Sequence, residues 1–305
     1  MEKFYYNENQ RYIIPTSDWG FKRLFGTEMN KEILIGFLNE VITDRVIVGL
    51  EYLNTEVILP STKKRRVVFD VYCRCEDGMR IIVEMQNCVT ESFMDRSLVY
   101  SASSIIENYL YSRRKGYSAN RTYLIVIAGE TVFGNVEHSP VRLAMCDIDS
   151  GSTRVLNDKL LQIFIELPKF ADSVEELRED SCFLDKFAVV MKRMAECETP
   201  PEIFGEGIFR RLFDAADLNG FNAQDKEQYK TAVMNELDYE ATLYDFKERG
   251  RKEGREEGRE EGIKEGFAQG LNEGEAKSKR AIAEKLKAMG MSAEQIKEAT
   301  GLDID

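Results

Sequence analysis

Residues 67–86 read VVFDVYCRCEDGMRIIVEMQ, and this stretch decides the predicted fold. Apolar residues recur at alternate positions on both sides of the triplet Glu76-Asp77-Gly78. Such alternation is typical of a β-strand, and a three-residue loop that ends in glycine is a favoured connection between antiparallel strands. We therefore predict a β-hairpin in which Cys75 pairs with Met79.

The predicted register brings two acidic residues together. Counted back from the loop, it pairs Tyr72 with Ile82, Asp70 with Glu84, and Val68 with Gln86. Opposed carboxylates repel each other by roughly 3 kcal/mol at about 5 Å and an effective dielectric constant near 20. A proton, a basic side chain or a divalent cation has to offset this repulsion, and carboxylate oxygens suit Mg²⁺ or Mn²⁺. A two-residue loop would instead place Asp70 opposite Met85 and separate the two acids.

Alternation also predicts which side of the hairpin faces the core. One face is wholly apolar, with Val67, Phe69, Val71, Cys73, Ile81, Val83 and Met85. The other face mixes the two acids with apolar residues. A simple amphipathic hairpin with incidental acids is therefore the alternative to a functional site.

The rest of the first 170 residues alternates between helical and strand patterns. Residues 16–26 and 30–42 have apolar residues at helical spacing, and Ser17 or Asp18 is placed to cap the first of these helices. Residues 92–116 predict a long helix and residues 121–129 a buried strand. This order predicts an α/β core, in which helices flank a mixed central sheet.

Composition argues against several classes of protein. No apolar run approaches the about 18 residues of a membrane-spanning helix, which favours a cytoplasmic protein without a membrane partner. His138 is the single histidine, which argues against a serine or cysteine nucleophile with a histidine base. The six cysteines include no CxxC pair, which argues against a zinc cluster or a disulfide framework.

The charge is unevenly distributed along the chain. The formal net charge is −12, and −11 of it falls in residues 171–305. Non-specific binding to nucleic acid is weak for an acidic protein, because both carry negative charge. The first 170 residues are nearly neutral, however, and they contain the basic run Lys63, Lys64, Arg65 and Arg66.

The last third differs from the first 170 residues in composition and predicted secondary structure. Residues 171–245 read as polar and helical, and seven glycines then recur at every fourth position from Gly250 to Gly274. Seven glycines cost a helix about 7 kcal/mol relative to alanine. The repeat is therefore either a solvated arm or a self-association helix whose glycines permit close approach.

The final residues predict two short helices, with Ser292 capping the second. The predicted divisions of the chain are accordingly a core over 1–170, a helical region over 171–245, a repeat arm over 246–276 and a small helical tail over 277–305.

Several stretches, taken in order, resemble the PD-(D/E)XK nuclease family transposases, the group that includes the recombination-promoting nucleases. Asp70 followed by Glu84-Met85-Gln86 matches the motif in the variant where glutamine replaces its usual lysine. The stretches DWGFKRLFG, LIGFLNEVI, FIELPKF and the EGREEG repeat carry the remaining similarity, which covers about residues 16–170. The resemblance implies a restriction-endonuclease-like core that hydrolyses phosphodiester bonds in DNA.

The resemblance also implies roles for individual residues. Asp70, Glu84 and Gln86 would be catalytic, with Mg²⁺, or Mn²⁺ in its place, held by the two acids and the Met85 carbonyl. Asp18 is either a further metal ligand or only a helix cap. The predicted contacts to DNA phosphates are Lys22, Lys63, Lys64, Arg65, Arg66 and Arg96, and for Lys22 and Arg96 simple solvation is the alternative.

Two alternatives to a nuclease remain at this point. Gln86 can orient a water molecule, but it carries no charge and cannot act as a base, so a catalytically silent scaffold that binds DNA or protein is the first rival. An assembly protein that acts through the glycine repeat is the second. For the nuclease itself, the C-terminal helical region is predicted to make contacts within a homo-oligomer or with a partner.

Overall fold

The computed structural model describes residues 6–7, 9–58, 65–111, 119–149 and 154–303. The chain divides into two compact units, Met1–Leu237 and Asp238–Asp305. Within the described ranges, every helix is too short or too polar to cross a membrane.

A mixed sheet of six strands forms the centre of the first unit, as predicted. The strands of the unit are β1 (Leu50–Tyr52), β2 (Glu56–Ile58), β3 (Arg66–Val68), β4 (Val71–Cys75), β5 (Arg80–Gln86), β6 (Thr122–Ala128), β7 (Val141–Cys146) and β8 (Val155–Glu166). The central sheet has the order β1-β4-β5-β6-β8-β7, while β2 and β3 form a separate two-stranded sheet. The pairs β5–β6 and β6–β8 are parallel, and the other pairs are antiparallel.

Strands β4 and β5 form the predicted hairpin in the predicted register. Tyr72 lies opposite Ile82, and the Cys75 N–H donates to the Met79 carbonyl at 2.9 Å. Gly78 closes the loop at a φ of 86°. This left-handed conformation strains residues that carry a Cβ, so the loop that sets the register depends on glycine.

The prediction that the first strand of the hairpin runs unbroken from residue 67 is wrong. Val68 pairs with Glu56 in the small sheet and not with Gln86, and the hairpin ladder ends at Val71–Val83. Phe69 and Asp70 lie between the two strands, at the point where the chain passes from one sheet to the other.

The break also corrects the predicted faces. Val67 and Phe69 pack in the same cluster as Tyr72, whereas Val71 and Cys73 face the opposite cluster. Strict alternation fails here because it holds only within one continuous strand.

Helices cover both faces of the central sheet. The helices are α1 (Asp18–Phe25), α2 (Lys31–Val41), α3 (Phe93–Tyr111), α4 (Phe183–Arg193), α5 (Gly207–Ala216), α6 (Ala223–Ala288) and α7 (Ala293–Thr300). One apolar cluster joins the sheet to α1, α2, α4, α5 and the start of α6, and a second lies on the side of α3. Two covered faces explain why both sides of the hairpin are rich in apolar residues. The predicted end of α3 near residue 116 lies outside the described residues.

Helix α1 is held firmly against this core. Ser17 caps it by accepting a hydrogen bond from the Gly20 N–H, and Asp18 is its first residue. A Cβ on Gly20 would lie 2.1 Å from the Ile14 carbonyl oxygen, so only glycine allows this close approach. The Tyr229 hydroxyl on α6 accepts a hydrogen bond from the Ile14 N–H at 2.9 Å.

The second unit consists of the rest of α6 and the short helix α7. Helix α6 runs through all seven glycines of the repeat to Ala288, so the first predicted tail helix is not a separate element. Ser292 caps α7 as predicted, in a reciprocal pair of hydrogen bonds with Gln295.

Candidate active site

Asp70 and Glu84 meet where the hairpin ladder ends. The Asp70 N–H donates to Glu84 Oε1 at 3.2 Å, and Asp70 Oδ2 accepts from the Met85 N–H at 2.9 Å. These two hydrogen bonds replace the strand pairing that would follow Val71–Val83, because Asp70 has left the strand. The two acids that the predicted register opposed are therefore neighbours, although they do not form a ladder pair.

Both carboxyl groups are largely shielded from water. The Asp70 side chain is 18% exposed and Glu84 is 9% exposed. Burial raises the pKa of Asp70, and the hydrogen bond from the Met85 N–H and the charge of Lys22 only partly oppose this effect. Burial together with the charge of Asp70 raises the pKa of Glu84 well above its usual range. The pair therefore holds negative charge at an energetic cost.

Lys22 on α1 contacts this pair from one side. Its Nζ lies 2.5 Å from Asp18 Oδ1 and 3.6 Å from Asp70 Oδ1. Burial alone would lower the pKa of Lys22, but the hydrogen bond to Asp18 and the charge of Asp70 raise it. Asp18 is 63% exposed and is linked to the acid pair through Lys22.

Arg96 on α3 lies on the other side, where it holds Gln86. The Arg96 guanidinium donates a short hydrogen bond to Gln86 Oε1, and Gln86 Nε2 donates to the Cys88 carbonyl at 2.7 Å. The guanidinium carbon lies 5.6 Å from the ring centre of Phe93 and 6.0 Å from that of Tyr100. Both ends of the Gln86 amide are thus engaged by groups other than Asp70 and Glu84.

The predicted basic run is only partly described. Lys63 and Lys64 lie outside the described residues. Arg65 precedes β3 and Arg66 is its first residue, and Arg66 contacts Glu56 Oε1 across the small sheet at 3.3 Å. This strand leads directly to Asp70, so the run precedes the candidate site in the chain.

Two residues beside the site were not predicted from the sequence. Asn87 Nδ2 donates to the Thr16 carbonyl at 2.8 Å and to Glu236 Oε1 at 3.1 Å. Glu236 Oε2 also accepts from the Asp18 N–H at 3.0 Å. Asn87 directly follows the motif, but Glu236 lies 149 residues further along, and no local pattern signals this contact.

A third buried acid lies at the same end of the parallel strands. Glu166 is in register with Ala128, which is itself in register with Gln86. Its carboxylate accepts hydrogen bonds from the Val132 and Phe133 N–H groups and from Lys169. These donors satisfy Glu166, so the FIELPKF stretch supports the loop after β6.

The oxygen donors at Asp70 and Glu84 fit a hard divalent cation. The Gln86 carbonyl accepts from the Gly129 N–H on the β6 side. Successive carbonyls of a strand point to opposite sides, so the Met85 carbonyl is directed toward Asp70. Two carboxylates and a carbonyl are ligands that Mg²⁺ accepts while it keeps bound water. In the described parts of the chain, no group of three or more His, Cys, Asp or Glu side chains is placed to hold a metal, so the set depends on this carbonyl.

Comparison with known families gives a match that covers most of the chain. The family described as PD-(D/E)XK nuclease family transposase matches residues 15–245. The chain belongs to this family. Neither the curated proteins nor the solved structures gave a match.

The match to the PD-(D/E)XK nuclease family transposases extends further than the sequence motifs indicated. It includes α4, α5 and the start of α6, and it ends five residues before Gly250. Residues 171–245 therefore lie within the region that the family shares. Members of this nuclease family generally use divalent metal ions.

Proposed function

We propose that this protein is a metal-dependent DNA endonuclease with a role in transposition or recombination. The observation that carries the proposal is the pair of hydrogen bonds that joins Asp70 to Glu84 and to Met85 at the end of the hairpin ladder. Two buried acids are brought together there although each raises the cost of ionising the other. Natural proteins retain such costly arrangements chiefly at functional sites.

The acids, with the Met85 carbonyl, would hold Mg²⁺, or Mn²⁺ in its place. A bound divalent ion at such a site lowers the pKa of a water molecule and stabilises charge that develops on a phosphate. Asp70 is fixed by the Met85 N–H, and Glu84 by the Asp70 N–H, so both ligands keep their orientation. Lys22 and Arg96 add positive charge on either side, where they would attract the DNA backbone.

The remaining basic residues would extend this contact to DNA. Lys63, Lys64, Arg65 and Arg66 precede Asp70 in the chain, and we propose that they contact DNA phosphates. Because these contacts are electrostatic, binding should weaken steeply as salt increases.

Cleavage of supercoiled plasmid tests the proposal. Wild-type protein should nick the plasmid in Mg²⁺ and not in EDTA, and Asp70→Ala should lower the rate at least about 100-fold, as loss of a key transition-state contact does. Asp214→Ala is the matched control, because Asp214 forms an exposed ion pair with Arg210 on α5. Equal nicking by wild type and Asp70→Ala would refute the proposal.

A silent scaffold is the second candidate, and the state of Gln86 favours it. The usual lysine is missing at this position, and the glutamine amide is engaged by Arg96 and Cys88. A scaffold would bind the same plasmid in a mobility-shift assay without nicking it in either metal. The two candidates are thus distinguished in one set of reactions.

We further propose that the C-terminal region mediates oligomerisation. Helix α6 continues through the glycine repeat, where a helix with no side chain at every fourth position permits a second helix to approach closely. Deleting residues 246–305 should lower the number of chains per particle, obtained by dividing the mass from light scattering by the mass of one chain, and an unchanged number would contradict this role.

We also propose that the protein is located in the cytoplasm. None of the six cysteines forms a disulfide in the described part of the chain, as is usual in a reducing compartment.

A further inference from the structure

The candidate site gains a positive charge from an element outside the hairpin. Lys22 belongs to α1, and its Nζ lies 3.6 Å from Asp70 Oδ1. Asp18, one turn earlier on the same helix, holds the same ammonium group at 2.5 Å. Lys22 therefore contacts Asp70 directly, and Asp18 restrains it from the solvent side.

The position of Lys22 is fixed by the packing of its helix. Phe21, Leu24 and Phe25 are buried in the core on the other side of α1. Gly20 allows the helix to approach the Ile14 carbonyl closely. The root of the Lys22 side chain is therefore rigid, and only its flexible stem has freedom to move.

Residue 86 does not supply this charge. Gln86 is neutral, and its amide is held by the Cys88 carbonyl and the Arg96 guanidinium. Arg96 is itself committed to Gln86 and lies over the Phe93 and Tyr100 rings. Among the described residues, Lys22 is the basic side chain that forms an ion pair with Asp70.

We propose that Lys22 is the positioning residue that supplies positive charge to the acid pair, in place of the lysine that strand β5 lacks at residue 86. This inference rests on the proposed nuclease function. Lys22 orients Asp70 while the metal is absent, and its ammonium group lies where a phosphate would approach. This role requires a positive charge beside Asp70 and Glu84. A lysine on another element could supply the same charge.

Four variants separate this role from a merely structural one. Lys22→Met removes the charge, and Lys22→Arg keeps it. Lys22→Met combined with Gln86→Lys moves the charge to β5, where Arg96 repels the new lysine and the acids attract it. Lys31→Met is the matched control, because Lys31 pairs with exposed Glu28 at 2.5 Å.

Two readouts are measured for each variant: single-turnover cleavage of plasmid in Mn²⁺, and Mn²⁺ binding by electron paramagnetic resonance. We expect Lys22→Met to cleave at least about 30-fold more slowly, within the range for loss of an electrostatic contact. Its Mn²⁺ affinity should stay equal or rise a few-fold, because a like charge beside the ion is gone. Lys22→Arg, and the double variant Lys22→Met with Gln86→Lys, should each cleave at least about tenfold faster than Lys22→Met. Lys31→Met should cleave at the wild-type rate.

Several outcomes would overturn the inference. Cleavage by Lys22→Met at the wild-type rate would show that the charge is not used. Loss of Mn²⁺ binding by Lys22→Met would show that the lysine only maintains the fold of the site. Failure of both Lys22→Arg and the relocated lysine to recover any rate would show that charge is not the relevant property.

The test also distinguishes this inference from the proposed function. A wild-type protein that binds Mn²⁺ and cleaves DNA, with an equally active Lys22→Met, leaves the nuclease proposal intact and removes only the inference. A wild-type protein that neither binds Mn²⁺ nor cleaves DNA overturns both.

Discussion

Replacing Glu84 with glutamine should stabilise the protein at alkaline pH, because it removes one of two buried like charges. The Asp70 N–H donates to Glu84, so the two carboxyl groups are neighbours, and at about 5 Å with an effective dielectric constant near 20 their repulsion is roughly 3 kcal/mol. Lys22 and Arg96 lower the pKa of Glu84 and so offset part of this repulsion. We therefore expect Glu84→Gln to raise the free energy of unfolding by about 1–2 kcal/mol.

The sign of the pH dependence follows from the raised pKa of Glu84. The folded state binds the Glu84 proton more tightly than the unfolded chain, so this carboxyl contributes stability at low pH. That contribution is lost as the pH rises through the folded pKa. The advantage of Glu84→Gln should accordingly be small at pH 4, below the ordinary glutamate pKa, and full at pH 8.5.

Differential scanning calorimetry at the two pH values measures this difference. A gain of 1–2 kcal/mol corresponds to a rise in melting temperature of roughly 2–8 °C for a domain of this size. Added Mn²⁺ should stabilise the wild type by mass action but leave Glu84→Gln nearly unchanged. Glu51→Gln is the control, because Glu51 forms an exposed ion pair with Arg74 and should show no gain at high pH. A variant that melts below the wild type at pH 8.5 would refute this account of the acid pair.

Two further predictions concern the scaffold around the site. Glu166→Ala should cost about 3–5 kcal/mol in urea unfolding, because it leaves the Lys169 charge and two backbone N–H groups without their buried partner; a loss below about 1 kcal/mol would contradict the role of this carboxylate. Gly78→Ala should lower stability by about 1–2 kcal/mol in thermal melting, since φ is 86° and the new Cβ would lie 2.5 Å from Asn120 Nδ2. Gly134→Ala, with no atom within 4 Å of the added Cβ, is the control that should melt close to the wild type.

The hairpin shows how far local sequence carried the prediction. The three-residue loop fixed the register, and the pairing of Tyr72 with Ile82 confirms it. The same reasoning failed before Asp70, because no local sequence pattern indicates that the chain passes from one sheet to the other between Val68 and Val71. That change depends on pairing between β3 and β2, which is decided by the competing partners of each strand.

The candidate site likewise combines residues that the sequence predicted with contacts that it did not predict. Asp70, Glu84 and Gln86 were found from spacing and resemblance, since they lie in one hairpin. The engagement of Gln86 by Arg96 and the contact of Glu236 with Asn87 were not found, because each joins elements that are distant in the chain. Side-chain geometry between such elements follows from packing, which periodicity does not encode.

The sequence by itself determined the hairpin, its register, the α/β class and the two acids, because turn chemistry and alternation act over a few residues. Only the tertiary structure decided that Asp70 leaves its strand and accepts a hydrogen bond from the Met85 N–H, and that the cation touching it is Lys22 of α1. The reason is physical: a buried charge requires a partner, and that partner comes from whichever packed element brings a compensating group within reach.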